Sequence, residues 1–193
     1  MKIILASNSP RRREILSQLG IKYEVISSKY EEKIKNIQPE DLVMCFAEGK
    51  AMSVAKDVVE EALIIGADTI VYNNGIIGKP KNFDDAVKML KSLSGVFHTV
   101  ISGVSVISTP SLRKITAYEK TLVKFKDITE EEILSYISTG EPMDKAGAYA
   151  IQGIGSLLVE KINGCYFNVM GLPVYRLSKM LEAFGYKIGV LEW

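Results

Sequence analysis

Short uninterrupted apolar runs alternate along the chain with segments whose apolar residues recur at helical spacing. The continuous run at 2–6 predicts a buried strand, and the mainly apolar segment 62–75 predicts a long strand. Apolar residues at helical spacing predict helices over 9–20 and 39–55. An Asn-Gly pair ends the second apolar run and predicts a tight hairpin. This alternation is typical of a sheet covered by helices.

The second half of the chain contains two long β segments at 98–108 and 114–126, joined by a Pro-Ser turn. Their closeness along the chain predicts an antiparallel pair. Thr129 and Glu132 have the spacing of a capping box at the start of a helix. The remaining predicted elements are strands over 23–27 and 157–162, helices over 84–93 and 174–184, a Gly-rich loop or broken segment over 139–156, and a loop over 163–173.

These elements predict one α/β domain over residues 1–193. The expected architecture is a mixed, partly antiparallel twisted sheet with flanking helices, in two lobes around a central cleft. Local pairing of the middle strands favours this mixed sheet over a doubly wound parallel one.

Composition excludes several classes of protein. The 193 residues are 47% hydrophobic and 24% charged, with a net charge of +1, so a dedicated nucleic-acid binder with a basic excess is not expected. Two cysteines are too few for a disulfide framework and indicate a reducing interior. The first apolar run is too short for a signal peptide, and none approaches the roughly 18 residues of a membrane span. We therefore expect a cytoplasmic protein that binds neither nucleic acid nor membrane.

Three consecutive arginines, Arg11, Arg12 and Arg13, follow a Ser-Pro pair that predicts the start of a helix. At about 100° per residue, Arg11 and Arg12 fall on the apolar face of this helix and Arg13 on the solvent side. A buried cation needs an anionic partner. Two interpretations remain open: a phosphate site at the helix N-terminus, or arginines in a basic patch or paired with internal carboxylates.

Asp68 lies within an apolar strand, where a carboxylate is unfavourable unless it meets a cation, a metal or several donors. Near phosphates it could hold Mg²⁺ or orient an attacking water. Alternatively, Gly66 breaks the strand and Asp68 with Thr69 caps a turn. Glu31 and Glu32, taken alone, are typical of a solvated charged loop.

Other polar residues are less informative by themselves. Lys50 and Lys79 each fit an ordinary surface lysine, and His98, the only histidine, fits a hydrogen-bonded structural role. The small residues of 144–156 would let the backbone approach a ligand closely. Gln152, within that segment, could offer a donor and an acceptor to a base edge. The segment fits a structural loop equally well.

Eight short motifs nevertheless follow one another along the chain between Ser7 and Pro173. They are "SNSPRR", Glu32, "FAEGKA", "GADT", "GKP", "SGVFHTV", "DKAGAYAIQG" and "NVMGLP". Each is weak alone, but together they resemble the Maf family of nucleotide pyrophosphatases. The resemblance implies hydrolysis of a nucleoside triphosphate between its α and β phosphates, with a divalent metal, to a monophosphate and pyrophosphate.

The resemblance also implies a role for each matching residue. Phosphate binding falls to Ser7, Ser9, Arg11, Arg12, Lys50 and Lys79. Metal binding falls to Glu32 and Asp68, with Asp68 also the proton acceptor for the attacking water. Substrate choice falls to Arg11, Thr69 and Gln152. The form "AYAIQG" is similar to that of the branch acting on dTTP and UTP.

The hypothesis from the sequence is a dTTP/UTP pyrophosphatase with a house-cleaning role on normal or modified pyrimidine nucleotides. The expected metal is Mg²⁺, with Mn²⁺ or Co²⁺ as alternatives, and the resemblance suggests a homodimer. One alternative is the same chemistry on 7-methyl-GTP or a non-canonical purine nucleotide. Another is a nucleotide-binding regulator of septum formation and cell division.

Overall fold

A mixed sheet of seven strands organises the chain in a computed structural model that describes residues 1–33 and 37–189. The strands are β1 (Lys2–Leu5), β2 (Glu24–Val25), β3 (Ala62–Tyr72), β4 (Ile76–Ile77), β5 (Phe97–Thr109), β6 (Lys114–Phe125) and β7 (Val159–Asn163). Their order is β2-β1-β3-β5-β6-β7, and β4 pairs with β3. Strand β1 runs parallel to β2 and β3, whereas the β3–β4 and β6–β7 pairs are antiparallel. The prediction of a mixed α/β sheet is confirmed.

The helices are α1 (Pro10–Gln18), α2 (Pro39–Ala55), α3 (Phe83–Leu93), α4 (Glu130–Ser138), α5 (Tyr166–Met170) and α6 (Val174–Glu182). Helix α4 begins with the predicted capping box: the Thr129 hydroxyl accepts from the Glu132 N–H, and the Glu132 carboxylate accepts from the Thr129 N–H. Within the described residues, every helix is too short or too polar to cross a bilayer.

The chain divides into two compact units. Of the described residues, unit 1 comprises 1–33, 37–68, 102–119 and 171–189, and unit 2 comprises 69–101 and 120–170. Two units match the two predicted lobes, while the central cleft stays a prediction.

Within unit 1, helix α2 lies directly against two strands. A Cβ at Gly66 of β3 would overlap the carbonyl oxygen of Ala47, and one at Gly103 of β5 would overlap that of Val43. Only glycine allows such a close approach of backbones. Strand β3 continues through Gly66, so the interpretation that this glycine breaks the strand is wrong. The close packing fixes α2 beside the residues that follow Gly66.

The structure departs from the predicted elements in two places. Strand β2 has only two residues, and the predicted loop at 163–173 contains helix α5. Five residues are too few for periodicity to reveal, and tertiary contacts hold this helix: the buried Asn168 amide donates to the Val100 carbonyl and the Thr121 hydroxyl, both at 3.0 Å. The segment 139–156 forms short 3₁₀ helices at Glu141–Asp144 and Ala146–Ala148, and a third follows at Gly153–Leu158.

An aromatic cluster lies in the core of unit 2. His98 is 2% exposed, and its Nε2 lies 2.8 Å from the Tyr149 hydroxyl. The Phe125 and Tyr149 rings meet the His98 ring edge-on, with centroids 4.9 and 5.4 Å away. The structural role predicted for His98 is confirmed. Burial lowers the pKa of His98 to about 4.

We predict that His98 stays neutral in the folded protein until the pH falls to about 4. Because the folded pKa lies below the unfolded one, its contribution to stability is complete above pH 6.5 and is lost as the pH falls toward 4. That loss amounts to about 3 kcal/mol. Because the chain has a single histidine, its imidazole resonances in a proton NMR titration give the pKa of His98 directly. A midpoint near 6.5 in folded protein would contradict the prediction.

Candidate active site

The turn between β1 and α1 builds the first part of the site in unit 1. Ser7 is 8% exposed, and its Oγ accepts from the Ser9 N–H at 3.2 Å and from Arg12 Nη1 at 3.1 Å. Arg12 is also 8% exposed, and its Nε donates to the Gly171 carbonyl at 2.8 Å. Ser9 occupies the N-cap position of α1 as predicted, although its hydroxyl does not cap the helix. The guanidinium of Arg12 is therefore buried and is oriented by its hydrogen bonds to Ser7 and Gly171.

Helical phase separates the three arginines less cleanly than predicted. Arg12 is buried as expected, but Arg11 and Arg13 are both half-buried. Arg13 was expected to face solvent; instead its Nη2 donates to the Asn8 carbonyl at 3.1 Å and its Nε is buried. The long side chain folds back over the preceding turn, a contact that helical phase does not describe.

Lys50 of α2 joins the two predicted carboxylates. Its Nζ lies 2.6 Å from Oδ1 of Asp68 and 2.6 Å from Oε1 of Glu32. The side chains of Lys50 and Asp68 are 14% and 11% exposed, whereas that of Glu32 is 48% exposed. The interpretation of Lys50 as a surface lysine is wrong, because the packing of α2 on Gly66 places it beside Asp68.

Burial and neighbouring charges shift the pKa values of Asp68 and Arg12 in opposite directions. Burial raises the pKa of Asp68, and the positive charges of Lys50 and Arg12 only partly offset it. Burial also lowers the pKa of Arg12, against the attraction of Asp68. A carboxylate with a raised pKa is a stronger proton acceptor than an ordinary one. The site therefore combines a basic carboxylate with fixed positive charge.

The loop that carries Glu32 is anchored to α2 by residues that the sequence analysis did not single out. The Ser28 hydroxyl lies 2.8 Å from that of Ser53. The ring of Tyr30 lies so close to Gly49 that a Cβ there would overlap it. The available signal was Gly49 itself, because a glycine in the middle of a helix often marks close packing. These contacts bring Glu32 to Lys50.

We predict that Gly49→Ala raises the Mg²⁺ concentration needed for half-maximal activity by at least about tenfold, the usual effect of disturbing a metal ligand's support. Alanine in place of glycine stabilises an isolated helix by about 1 kcal/mol, so the substitution does not weaken α2 itself. The added methyl displaces Tyr30, and Glu32 moves with it. Mg²⁺ titrations of pyrophosphate release measure the change.

Tyr30→Phe is the matched control for this variant, because it keeps the ring against Gly49 and removes only the hydroxyl, whose oxygen lies 3.8 Å from Cys45 Sγ. Its Mg²⁺ dependence should equal that of the wild type. An unchanged Mg²⁺ dependence in Gly49→Ala would show that this contact does not place Glu32.

The donor set suits a divalent cation. Glu32 and Asp68 direct carboxylate oxygens at one point, where the Lys50 ammonium lies, and Mg²⁺ prefers oxygen ligands of this kind. Among residues 1–33 and 37–189, no group of three or more histidine, cysteine or acidic side chains gathers as a metal site. Magnesium in nucleotide enzymes commonly uses one or two carboxylates together with water and phosphate oxygens, so two carboxylates fit.

The other predicted site residues belong to unit 2. Thr69 is half-buried on β3, Lys79 is exposed after β4, and Gln152 is half-buried just before a 3₁₀ helix. Unit 1 holds Ser7, Ser9, Arg11, Arg12, Glu32, Lys50 and Asp68. Within unit 1, contacts join Ser7 with Ser9 and Arg12, and Lys50 with Glu32 and Asp68. The roles of all these residues stay predictions.

A family model described as Maf-like protein matches residues 2–184. The chain belongs to this family. The match spans every motif on which the resemblance was based, from "SNSPRR" to "NVMGLP".

Curated relatives of this Maf-like chain are similar over almost their whole length. A protein of Acetivibrio thermocellus named dTTP/UTP pyrophosphatase is 49% identical over 195 residues, covering 97% of this chain and 98% of the relative. A protein of the same name from Thermoanaerobacter sp. is 52% identical over 183 residues, covering 94% and 96%. One from Caldicellulosiruptor bescii is 50% identical over 192 residues, covering 97% and 96%.

Among solved structures, the Staphylococcus aureus Ham1 protein matches with a TM-score of 0.49 and 15% identity, covering 82% of this chain and 80% of that protein. A dITP/XTP pyrophosphatase from Mycobacterium abscessus matches with a TM-score of 0.42 and 18% identity, covering 66% and 76%. Likenesses this distant carry no argument about function.

Proposed function

We propose that this Maf-like protein hydrolyses dTTP and UTP to the monophosphate and pyrophosphate, in a house-cleaning role that includes modified pyrimidine nucleotides. The observation that carries the proposal is the cluster of Asp68, Lys50, Glu32 and Arg12 in unit 1, where a basic carboxylate lies beside fixed cations. The printed names of the relatives support the choice of substrate.

In the proposed reaction, Asp68 takes a proton from the water that attacks the α-phosphorus. Burial raises the pKa of Asp68, which favours this transfer near neutral pH. Arg12 and Lys50 neutralise the charge that collects on the departing pyrophosphate. Arg12 is suited to this role because its hydrogen bonds to Ser7 and Gly171 orient the guanidinium before the substrate arrives.

Ser9, Arg11 and Lys79 complete the proposed set of phosphate contacts. The N–H groups at the start of α1 favour the binding of a phosphate at the helix N-terminus. Arg11, Thr69 and Gln152 are proposed to select the nucleotide, with Gln152 offering a donor and an acceptor to the pyrimidine edge.

Glu32 and Asp68 are proposed to hold a divalent cation, Mg²⁺ in the first instance with Mn²⁺ or Co²⁺ as substitutes. When bound there, the cation supplies neutralisation of phosphate charge and polarisation of the bond to be cleaved. The carboxylates of Glu32 and Asp68 would then contact both Lys50 and the metal.

Incubation of the purified protein with a nucleotide panel and Mg²⁺ tests the proposal. Pyrophosphate should appear with dTTP and UTP at higher kcat/KM than with dCTP, dGTP, ITP or 7-methyl-GTP. A preference for 7-methyl-GTP or ITP would move the substrate to another branch of the same chemistry. Tight binding with no pyrophosphate from any nucleotide would favour a nucleotide-binding regulator.

A further inference from the structure

The backbone around Gln152 is held from both sides by two residues that no motif singled out. Two positions before it, the buried Ala150 N–H donates to the Tyr136 hydroxyl at 3.2 Å. Two and three positions after it, the N–H groups of Ile154 and Gly155 donate to the Glu141 carboxylate at 3.1 and 3.0 Å. Gln152 therefore lies at the centre of a short segment with fixed ends.

Tyr136 and Glu141, which we call the clamp, are also joined to each other. The Tyr136 hydroxyl donates to Glu141 Oε1 at 2.9 Å, so this one hydroxyl both donates and accepts. Burial by itself raises the pKa of Glu141, but hydrogen bonds from Gly155, Tyr136 and Ile154 lower it on balance. The carboxylate is therefore ionised at neutral pH and serves as an acceptor for all three donors.

The packing around the clamp leaves little room for the segment to shift. A Cβ at Gly153, whose φ is +65°, would lie 2.6 Å from Glu141 Oε2. A Cβ at Gly155 would overlap both the Ala150 carbonyl and the Tyr136 hydroxyl. The glycines of "QGIG" thus allow the close approach that the clamp needs. Gln152 itself is half-buried, with part of its side chain exposed.

We propose that Tyr136 and Glu141 are positioning residues for nucleotide selection, which act by fixing the backbone of residues 150–155 so that Gln152 presents its amide to the pyrimidine edge. This inference rests on the proposed function. Thymine offers an acceptor at O4 and a donor at N3, and cytosine has the opposite pattern. A glutamine amide distinguishes the two bases only when its donor and acceptor are held in register.

Glu141→Gln tests the clamp with little change in volume. Its amide nitrogen donates rather than accepts, so the Ile154 and Gly155 N–H groups compete for a single oxygen. Hydrogen exchange of those two amides should accelerate at least about tenfold. The kcat/KM ratio of dTTP to dCTP should fall at least about tenfold, chiefly through a higher KM for dTTP with kcat nearly unchanged. Tyr136→Phe should shift the ratio in the same direction.

Glu132→Gln is the matched control, because Glu132 lies on the same helix as Tyr136 and accepts from the Thr129 N–H outside the 150–155 segment. This variant should keep the wild-type nucleotide ratio even where its melting temperature falls. A general loss of stability would lower activity on dTTP and dCTP alike, whereas loss of the clamp changes their ratio.

An active wild type with an unchanged dTTP to dCTP ratio in both Glu141→Gln and Tyr136→Phe would overturn the clamp alone. Unchanged exchange at Ile154 and Gly155 in Glu141→Gln would overturn it as well. No pyrophosphate from wild type with any nucleotide would overturn the proposed function, and with it the role of the clamp.

Discussion

Asp68→Asn should lower kcat for pyrophosphate release from dTTP by about 10³-fold, within the range that a positioned general base supplies. The amide has the shape of the carboxylate and still accepts a hydrogen bond from Lys50, but it cannot take a proton from water. It is also a weaker metal ligand than a carboxylate. A coupled pyrophosphate assay at saturating dTTP and Mg²⁺ measures the loss.

Asp57→Asn is the control for this change, since Asp57 is exposed just beyond the end of α2 and should keep full activity. Both variants should melt within a few degrees of the wild type. If Asp68→Asn retained a tenth or more of the wild-type kcat, Asp68 would not be the proton acceptor.

Arg12→Lys should lower kcat/KM for dTTP by about 10²-fold, a loss comparable to that of one oriented transition-state donor. Lysine keeps the positive charge but lacks the planar fork that donates through Nε to Gly171 and through Nη1 to Ser7. The charge is then no longer held in one place, and the buried Gly171 carbonyl loses its donor. Steady-state kinetics with dTTP at fixed Mg²⁺ give the ratio.

The same substitution at Arg13 is the matched control. Arg13 donates to the Asn8 carbonyl rather than to Ser7 or Gly171, so Arg13→Lys should keep kcat/KM within about twofold, the small effect expected away from the contacts that orient Arg12. Equal losses in the two variants would mean that net charge at the start of α1 matters rather than the fixed geometry of Arg12.

Much of the fold could be predicted from local patterns. The apolar run of β3, the capping box of α4 and the hairpin turn that contains Asn74 are each specified by neighbouring residues, and each is found. Helix α5 could not be predicted, because its five residues are held by the buried Asn168. A contact between distant parts of the chain leaves no periodic signal.

Only part of the candidate site could be predicted from the sequence. Helical phase correctly indicated that Arg12 is buried but misplaced Arg13, whose side chain folds back on Asn8. Lys50 fitted a surface residue until the structure brought it to Asp68. Tyr136 and Glu141 carried no signal, because their partners are backbone N–H groups, which every residue except proline possesses.

Local patterns along the chain are enough to predict the alternation of strands and helices, the inward direction of Arg12 and the ordered motifs that resemble the Maf family. These depend on local periodicity or on residue identity, and both can be read along one chain. The folded chain was needed to show that Lys50 lies between Asp68 and Glu32 and that the clamp contacts the segment around Gln152. Charge pairing and burial depend on distances in space, and those are set by how α2 packs on Gly66 and how residues 150–155 pack on Glu141.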